Sequence, residues 1–273
     1  RRVDRTGRVA ARRLFGADQE LNAVGLWTLI KREMVRSLKI INQVIWPPII
    51  TTLLYVFVFG LAIGSRIPSV QGVSYAQFLI PGLIMLQVID SSYGECSSSL
   101  FQGRFMNSIQ ELLIAPMSAG ELVAGYVLGS LARALLIAGL ITGLGLMLVH
   151  TAPRDWPLYL CVVALVSVLF SALGLIFGLI ADKFDHIAIL TTFVITPLTF
   201  VGGVFTDAKM LPPPLRTFEL FNPIFYTIDA FRRSYTGQSF LAPEFSVSMI
   251  VLLAAVAVGV VLRMTAIGYK LRT

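Results

Sequence analysis

Long apolar runs alternate with short charged connections along this chain. Six runs stand out: Asn42 to Ile63, Phe78 to Ser98, Leu122 to Val149, Pro157 to Ala181, Ile187 to Phe205 and Phe245 to Leu262. An α-helix needs about 20 apolar residues to cross the hydrocarbon core of a bilayer. The pattern therefore predicts an all-α integral membrane protein with six transmembrane helices, the second being the least apolar. Upstream, Trp27, Ile30, Met34, Leu38 and Ile41 recur at steps of three and four, while Lys31, Arg32, Arg36 and Lys39 take other faces. This spacing predicts a basic amphipathic helix over Val24 to Ile41. Such a helix lies in the headgroup plane or packs on a cytoplasmic partner. Two parts follow: a basic tail with the amphipathic helix over 1–41, and a six-span domain over 42–273.

Composition agrees with a membrane. Apolar residues make up 56% of the chain and charged ones 14%, with a mean hydropathy of +0.80. The net charge of +7 invites a nucleic-acid reading, but ten of the 22 Lys and Arg precede residue 42. That placement suits a flank against anionic headgroups, and no nucleic-acid partner is expected. With the N-terminus inside, the inner flanks hold fifteen Lys and Arg and the outer connections six. Both termini are thus expected in the cytoplasm. Cys96 and Cys161 fall in apolar segments, and His150 and His186 lack neighbours at ligand spacing, so neither a disulfide framework nor a metal site is expected. The chain opens on Arg1 rather than Met, with no signal peptide visible there.

Several segments can carry function. Between the second and third runs, Ile109, Leu112 and Leu113 give a short helix an apolar face that Pro116 ends. Bearing Glu111, this helix is either an ordinary connector or a docking element for a soluble partner. Ser118 and Glu121 then stand at capping-box spacing. Asp90 and Glu95 in the second run and Arg133 in the third are costly in hydrocarbon. Counting about 1.5 Å per residue from the inner turn puts Asp90 and Arg133 at similar depth. They are expected to pair, as a static brace or as a cargo contact, with Glu95 nearer the cytoplasm. Glycine pairs four residues apart, at 60/64, 125/129, 139/143 and 174/178, predict close helix packing.

The stretch from Phe200 to Gly237 mixes aromatics, prolines and glycines. Pro197 frees backbone groups that Thr196 or Thr199 can satisfy, and Gly202-Gly203 permits a turn. Leu211 to Pro214 and Asn222-Pro223 mark breaks between two short helical pieces. Phe221, Phe225, Tyr226 and Tyr235 are expected in the interfacial aromatic zone.

No Lys is followed by Ser or Thr, so the chain lacks the Gly-x4-Gly-Lys-[Ser/Thr] phosphate loop. Energy for any pumping must come from another chain or an ion gradient. Two other classes stay open. A gradient-driven carrier would use Asp90, Glu95 and Arg133. A membrane lipid transferase would be built on Asp182, Asp185 and His186.

Five sequence words in order resemble the ABC type 2 exporter permeases. They are Gly60 to Ser65, Pro81-Gly82-Leu83-Ile84, Glu111 to Pro116, Phe184-Asp185, and the outer stretch just described. The resemblance runs from about Trp27 to Arg272 and is nearest to the daunorubicin-resistance and related drug permeases. It implies a coupling helix within about 104–118, in which Glu111, Leu112, Leu113, Ile114, Ala115 and Pro116, helped by Phe184 and Asp185, engage an ABC ATPase subunit. It also implies re-entrant helices within about 206–237. Together with the turn that precedes them, Gly202, Gly203, Phe205, Leu211, Pro212, Asn222, Pro223, Tyr226 and Arg232 would close the outer end of a translocation path. The active unit would be two permease chains, expected as a homodimer, with two ATPase subunits in the bacterial plasma membrane. ATP and Mg would sit on the partner subunit, leaving this chain without catalytic residues or cofactor. Relatives with this fold carry drugs, lipid-linked polysaccharide or teichoic-acid precursors, so the cargo does not follow from the fold.

Overall fold

The computed structural model describes residues 22–64, 69–70, 72–106 and 117–270, and among these it holds helices and no strand. Nine main helices follow in order. They are α1 (Ala23–Lys39), α2 (Ile41–Tyr55), α3 (Tyr75–Phe105), α4 (Ala119–Val149), α5 (Trp156–Ile180), α6 (Phe184–Val204), α7 (Pro213–Leu220), α8 (Pro223–Thr236) and α9 (Pro243–Ala266). The amphipathic helix and all six apolar runs thus appear as helices, most with ends a few residues from those predicted.

Five of them are long and apolar enough to cross a membrane: Ile41–Gly60, α4, α5, α6 and α9. The remaining run is α3, whose 31 residues extend for about 46 Å. Asp90, Glu95 and a run of serines lower its hydropathy, and it lies at the centre of the bundle. Phe78, Leu79, Ile80, Ile84, Met85, Val88, Ile89 and Tyr93 on it are fully buried. A helix surrounded by protein rather than lipid tolerates such residues because neighbours satisfy them. Ser92 donates to Ser167 at 3.2 Å, and Ser171 donates to Ser130 at 2.9 Å, which ties α3, α4 and α5 together.

Small residues set how closely these rods approach. A Cβ at Gly174 of α5 would stand 2.5 Å from the Tyr93 carbonyl oxygen, and one at Gly178 would stand 2.9 Å from that of Ser97. The backbones of α3 and α5 are therefore in contact. Gly125 and Gly129 of α4 receive Leu29 and Glu33 of α1 in the same manner. Gly60 and Gly64 also pack closely, whereas Gly139 and Gly143 face open space. Three of the four predicted pairs therefore serve packing within the chain.

The predicted capping box is present. Ser118 accepts from the Glu121 backbone N–H at 3.2 Å, and Glu121 accepts from that of Ser118 at 2.6 Å. The other Glu121 oxygen accepts from the Asn22 backbone N–H at 2.5 Å, so one carboxylate joins the starts of α4 and α1. Around Pro197 the helix α6 opens into wide π-type turns, and the Thr199 hydroxyl donates to the Ile195 carbonyl at 2.7 Å. It then turns back at Gly203, whose φ of 98° lies in the region that only glycine enters freely.

Candidate functional site

Three places concentrate the polar chemistry of the bundle. The first is a chain of alternating charge between α1, α3 and α4. Leu29 and Glu33 are the buried side chains of α1. Glu33 accepts from Ser99 at 2.7 Å and pairs with Arg32 at 3.0 Å and Arg36 at 3.1 Å. Arg36 also reaches Glu95 at 2.6 Å, Ser37 donates to the same oxygen at 3.0 Å, and Arg133 pairs with the other Glu95 oxygen. Buried charges persist when they are paired and hydrogen-bonded in this way.

The expected pairing of Asp90 with Arg133 is corrected here: the partner is Glu95, and Asp90 makes no ion pair among the described residues. Equal depth was a poor guide because it ignored the helical face. Ser92, Glu95, Cys96 and Ser99 lie on the side of α3 that meets α4 and α1. Asp90 precedes Glu95 by five residues, a rotation of about 140° away from it. Glu33 was missed altogether, and Arg36 was read only as one of the cations of the amphipathic helix. Glu33 is the one acid among the four cations of α1, four residues beyond Leu29, and that position on a basic helix was the available signal.

The second place is the end of the bundle where α3 stops. Glu111, Leu112, Leu113, Ile114, Ala115 and Pro116 lie outside the described residues, but both flanks are placed. On one side Arg104 donates to the carbonyls of Gly178, Leu179 and Ala181 at 2.8, 2.9 and 3.1 Å, satisfying the free end of α5. On the other, the capping box starts α4. Phe184 is half-exposed and meets Phe101 edge-on at 5.9 Å, and Asp185 is exposed beside it. Lys270 takes Asp182 at 2.6 Å, so that carboxylate is already engaged. Among the described residues, no three of His, Cys, Asp and Glu gather as a metal-binding group.

The third place surrounds the turn at Gly203. Arg232 of α8 is buried, donates to the Gly203 carbonyl at 2.5 Å and lies over the Phe78 ring at 3.9 Å. Asn222 caps α8 and donates to the Leu198 carbonyl at 2.6 Å, and a Cβ on Gly202 would press on it at 3.1 Å. Tyr226 donates to the Leu220 carbonyl at 2.7 Å. Phe205 stacks among Tyr55, Phe59 and Phe200. The structure thus brings Gly202, Gly203, Asn222 and Arg232 together, with Tyr226 and Phe205 close by. Leu211, Pro212 and Pro223 are at least partly exposed. The aromatic reading needs correction: Phe225, Tyr226 and Tyr235 are buried, and only Phe221, at 83%, is largely exposed. Short helices folded onto the bundle turn those rings inward, which residue type alone did not reveal.

Glu219, on α7, was also missed. It is fully buried, and neither carboxyl oxygen has a hydrogen-bond partner among the described residues. Burial raises its pKa from 4.5 to about 7; Arg232 and Arg216 oppose the rise, while Asp207 and Asp229 add to it. Burial also lowers Arg232 to about 10, so it stays charged at neutral pH. Between pH 4.5 and about 7 the folded chain holds a proton on Glu219 that the unfolded chain has released. Stability should therefore decline across that window as pH rises, by up to about 3 kcal/mol. Glu219→Gln should remove this slope, which unfolding of the purified chain at pH 5 and pH 8 would reveal. An unchanged slope in the variant would refute the assignment.

A bundle of long apolar helices whose inward-facing charges are paired, with short helices folded over one end, defines a multi-pass membrane protein. The ABC-2 type transporter family model matches residues 24–236, from α1 to the end of α8, and the chain belongs to that family. It is similar to the inner membrane transport permease YadH of Escherichia coli, at 42% identity over 214 residues, covering 78% of this chain and 84% of the relative. It also resembles nodulation protein J of Rhizobium leguminosarum at 29% identity, covering 68% of this chain and 72% of that protein. The nodulation protein J of Neorhizobium galegae is 24% identical over 222 residues, covering 80% and 82%.

Proposed function

We propose that this chain is the permease subunit of an ATP-driven exporter in the bacterial inner membrane, with both termini cytoplasmic, α3 as a sixth span and α1 in the headgroup plane. Two copies would stand on two copies of a separate ABC ATPase and move hydrophobic, drug-like or lipid-type cargo outward. The observation that carries this reading is the family match running unbroken from the amphipathic helix to the short outer helices. The relative YadH is an inner membrane transport permease, which supports the location. Exposed apolar faces on α2, with Trp46, Ile50 and Leu54, and on α6, with Ile189 and Phe193, suit contact with lipid and a second copy.

In this reading, closure of the ATPase pair pushes on Glu111 to Pro116. The thrust enters α3 and α4, whose ends flank that segment, and reaches α1 through the Glu33–Arg36–Glu95–Arg133 chain. At the other end, Gly202, Gly203, Asn222 and Arg232 hold the outer closure. Co-purification tests the central point. The wild-type chain should retain an ABC ATPase subunit, and Glu111→Arg should lower that retention at least about tenfold by reversing a docking charge. Vesicles holding this chain alone should hydrolyse no ATP. Nucleotide consumption by the lone chain, or full ATPase retention by the variant, would defeat the proposal.

A further inference from the structure

A cleft of about 420 Å³ opens between α1 and the last turns of α3. Its walls include Arg32, Glu33, Arg36 and Lys39 from α1 and Ser99, Gln102 and Gly103 from α3. The ion pairs described above do not neutralise it. Arg32, Arg36, Lys39 and Arg133 bring four positive charges to the region, against the two carboxylates of Glu33 and Glu95. The Arg36 side chain keeps 27% of its surface exposed beside its two carboxylate partners, and it lines the cleft. Anions of compact, oxygen-rich form match such a surplus of guanidinium and ammonium donors.

The surroundings identify the anion's source. Val35 and Met106 line the cleft, and beside it Phe105 and Met106 are 79% and 73% exposed. On α1, Trp27 and Leu38 present uncovered apolar surface at 64% and 56% exposure. Charged donors bordered by apolar side chains fit the boundary between headgroup and acyl chain, where a basic amphipathic helix rests. We infer that the cleft between α1 and α3 binds the phosphodiester headgroup of an anionic membrane lipid, held by Arg32, Arg36 and Lys39. The phosphate would accept from Arg32, Arg36 and Lys39 on the cleft side and compete with Glu95 for the Arg36 guanidinium. Placing this lipid in the inner leaflet rests on the orientation proposed above; the binding itself does not.

Native mass spectrometry of the purified full chain tests the inference, with phosphatidylglycerol, phosphatidylcholine and free glycerol phosphate as probes. Phosphatidylglycerol should be retained at least about fivefold better than phosphatidylcholine. The Arg32→Gln/Lys39→Gln double variant should erase that preference, and Lys31→Gln, an exposed cation of α1 that does not line the cleft, should leave it intact. If the double variant fails to fold, Lys39→Gln alone should lower the preference about twofold or more. Equal retention of the two lipids would overturn the site, as would an equal loss in Lys31→Gln, which would indicate diffuse attraction to a basic helix. Displacement of phosphatidylglycerol by millimolar glycerol phosphate would overturn the lipid assignment. None of these outcomes bears on ATPase association, so failure here and failure of the exporter proposal remain distinguishable.

Discussion

Glu95→Gln is expected to destabilise the purified chain by about 3 kcal/mol, because it leaves the largely enclosed guanidinium of Arg133 without its counter-charge. Arg36 keeps Glu33, so the damage centres on Arg133. Adding Arg133→Met to that variant should recover about 1–3 kcal/mol, since no orphaned charge then remains. Asp90→Asn, in contrast, should cost less than about 1 kcal/mol, as Asp90 has no ionic partner among the described residues. Denaturant unfolding of the four proteins in one detergent reads all three differences. A mild Glu95→Gln beside a severe Asp90→Asn would reverse the assignment and restore the pairing that depth alone suggested.

Gly174→Ala should be nearly as damaging, although it adds a single methyl group. Its Cβ would meet the Tyr93 carbonyl oxygen at 2.5 Å, and a backbone oxygen cannot swing aside as a side chain can. The two central helices must then separate along their contact, and overpacking of this kind costs about 1–3 kcal/mol or more. Gly139→Ala is the matched control, because nothing lies within 4 Å of its Cβ and alanine favours the helix by about 1 kcal/mol. Thermal midpoints should fall sharply in the first variant and hold or rise in the second. Equal effects would show that α3 and α5 do not pack as described.

Much of the architecture was legible because hydrophobic run length reports directly on membrane helices. The six runs, the amphipathic helix, the capping box at Ser118 and Glu121, and the turn at Gly202-Gly203 each have a local physical cause. What failed was long-range. Arg133 can meet Glu95 instead of Asp90 only because of helix facing, which depth counting does not contain. Glu33 turns inward because Gly125 and Gly129 admit α1, and the glycine spacing was visible while its occupant was not. Phe225, Tyr226 and Tyr235 are core residues because α8 folds back onto α3 and α5, a tertiary fact that no local pattern carries. Glu219 gave no signal at all: a lone acid between Phe218 and Leu220 on a short helix reads as solvated until its burial is seen.

Arg104 has a mechanical corollary. By gripping three carbonyls at the foot of the neighbouring rod, it makes α3 and α5 share a footing. Their backbones also touch at Gly174 and Gly178, so the two behave as one girder. Any load applied just after Met106 is then borne by both, and it travels to the far surface, where Phe78 supports the Arg232 guanidinium.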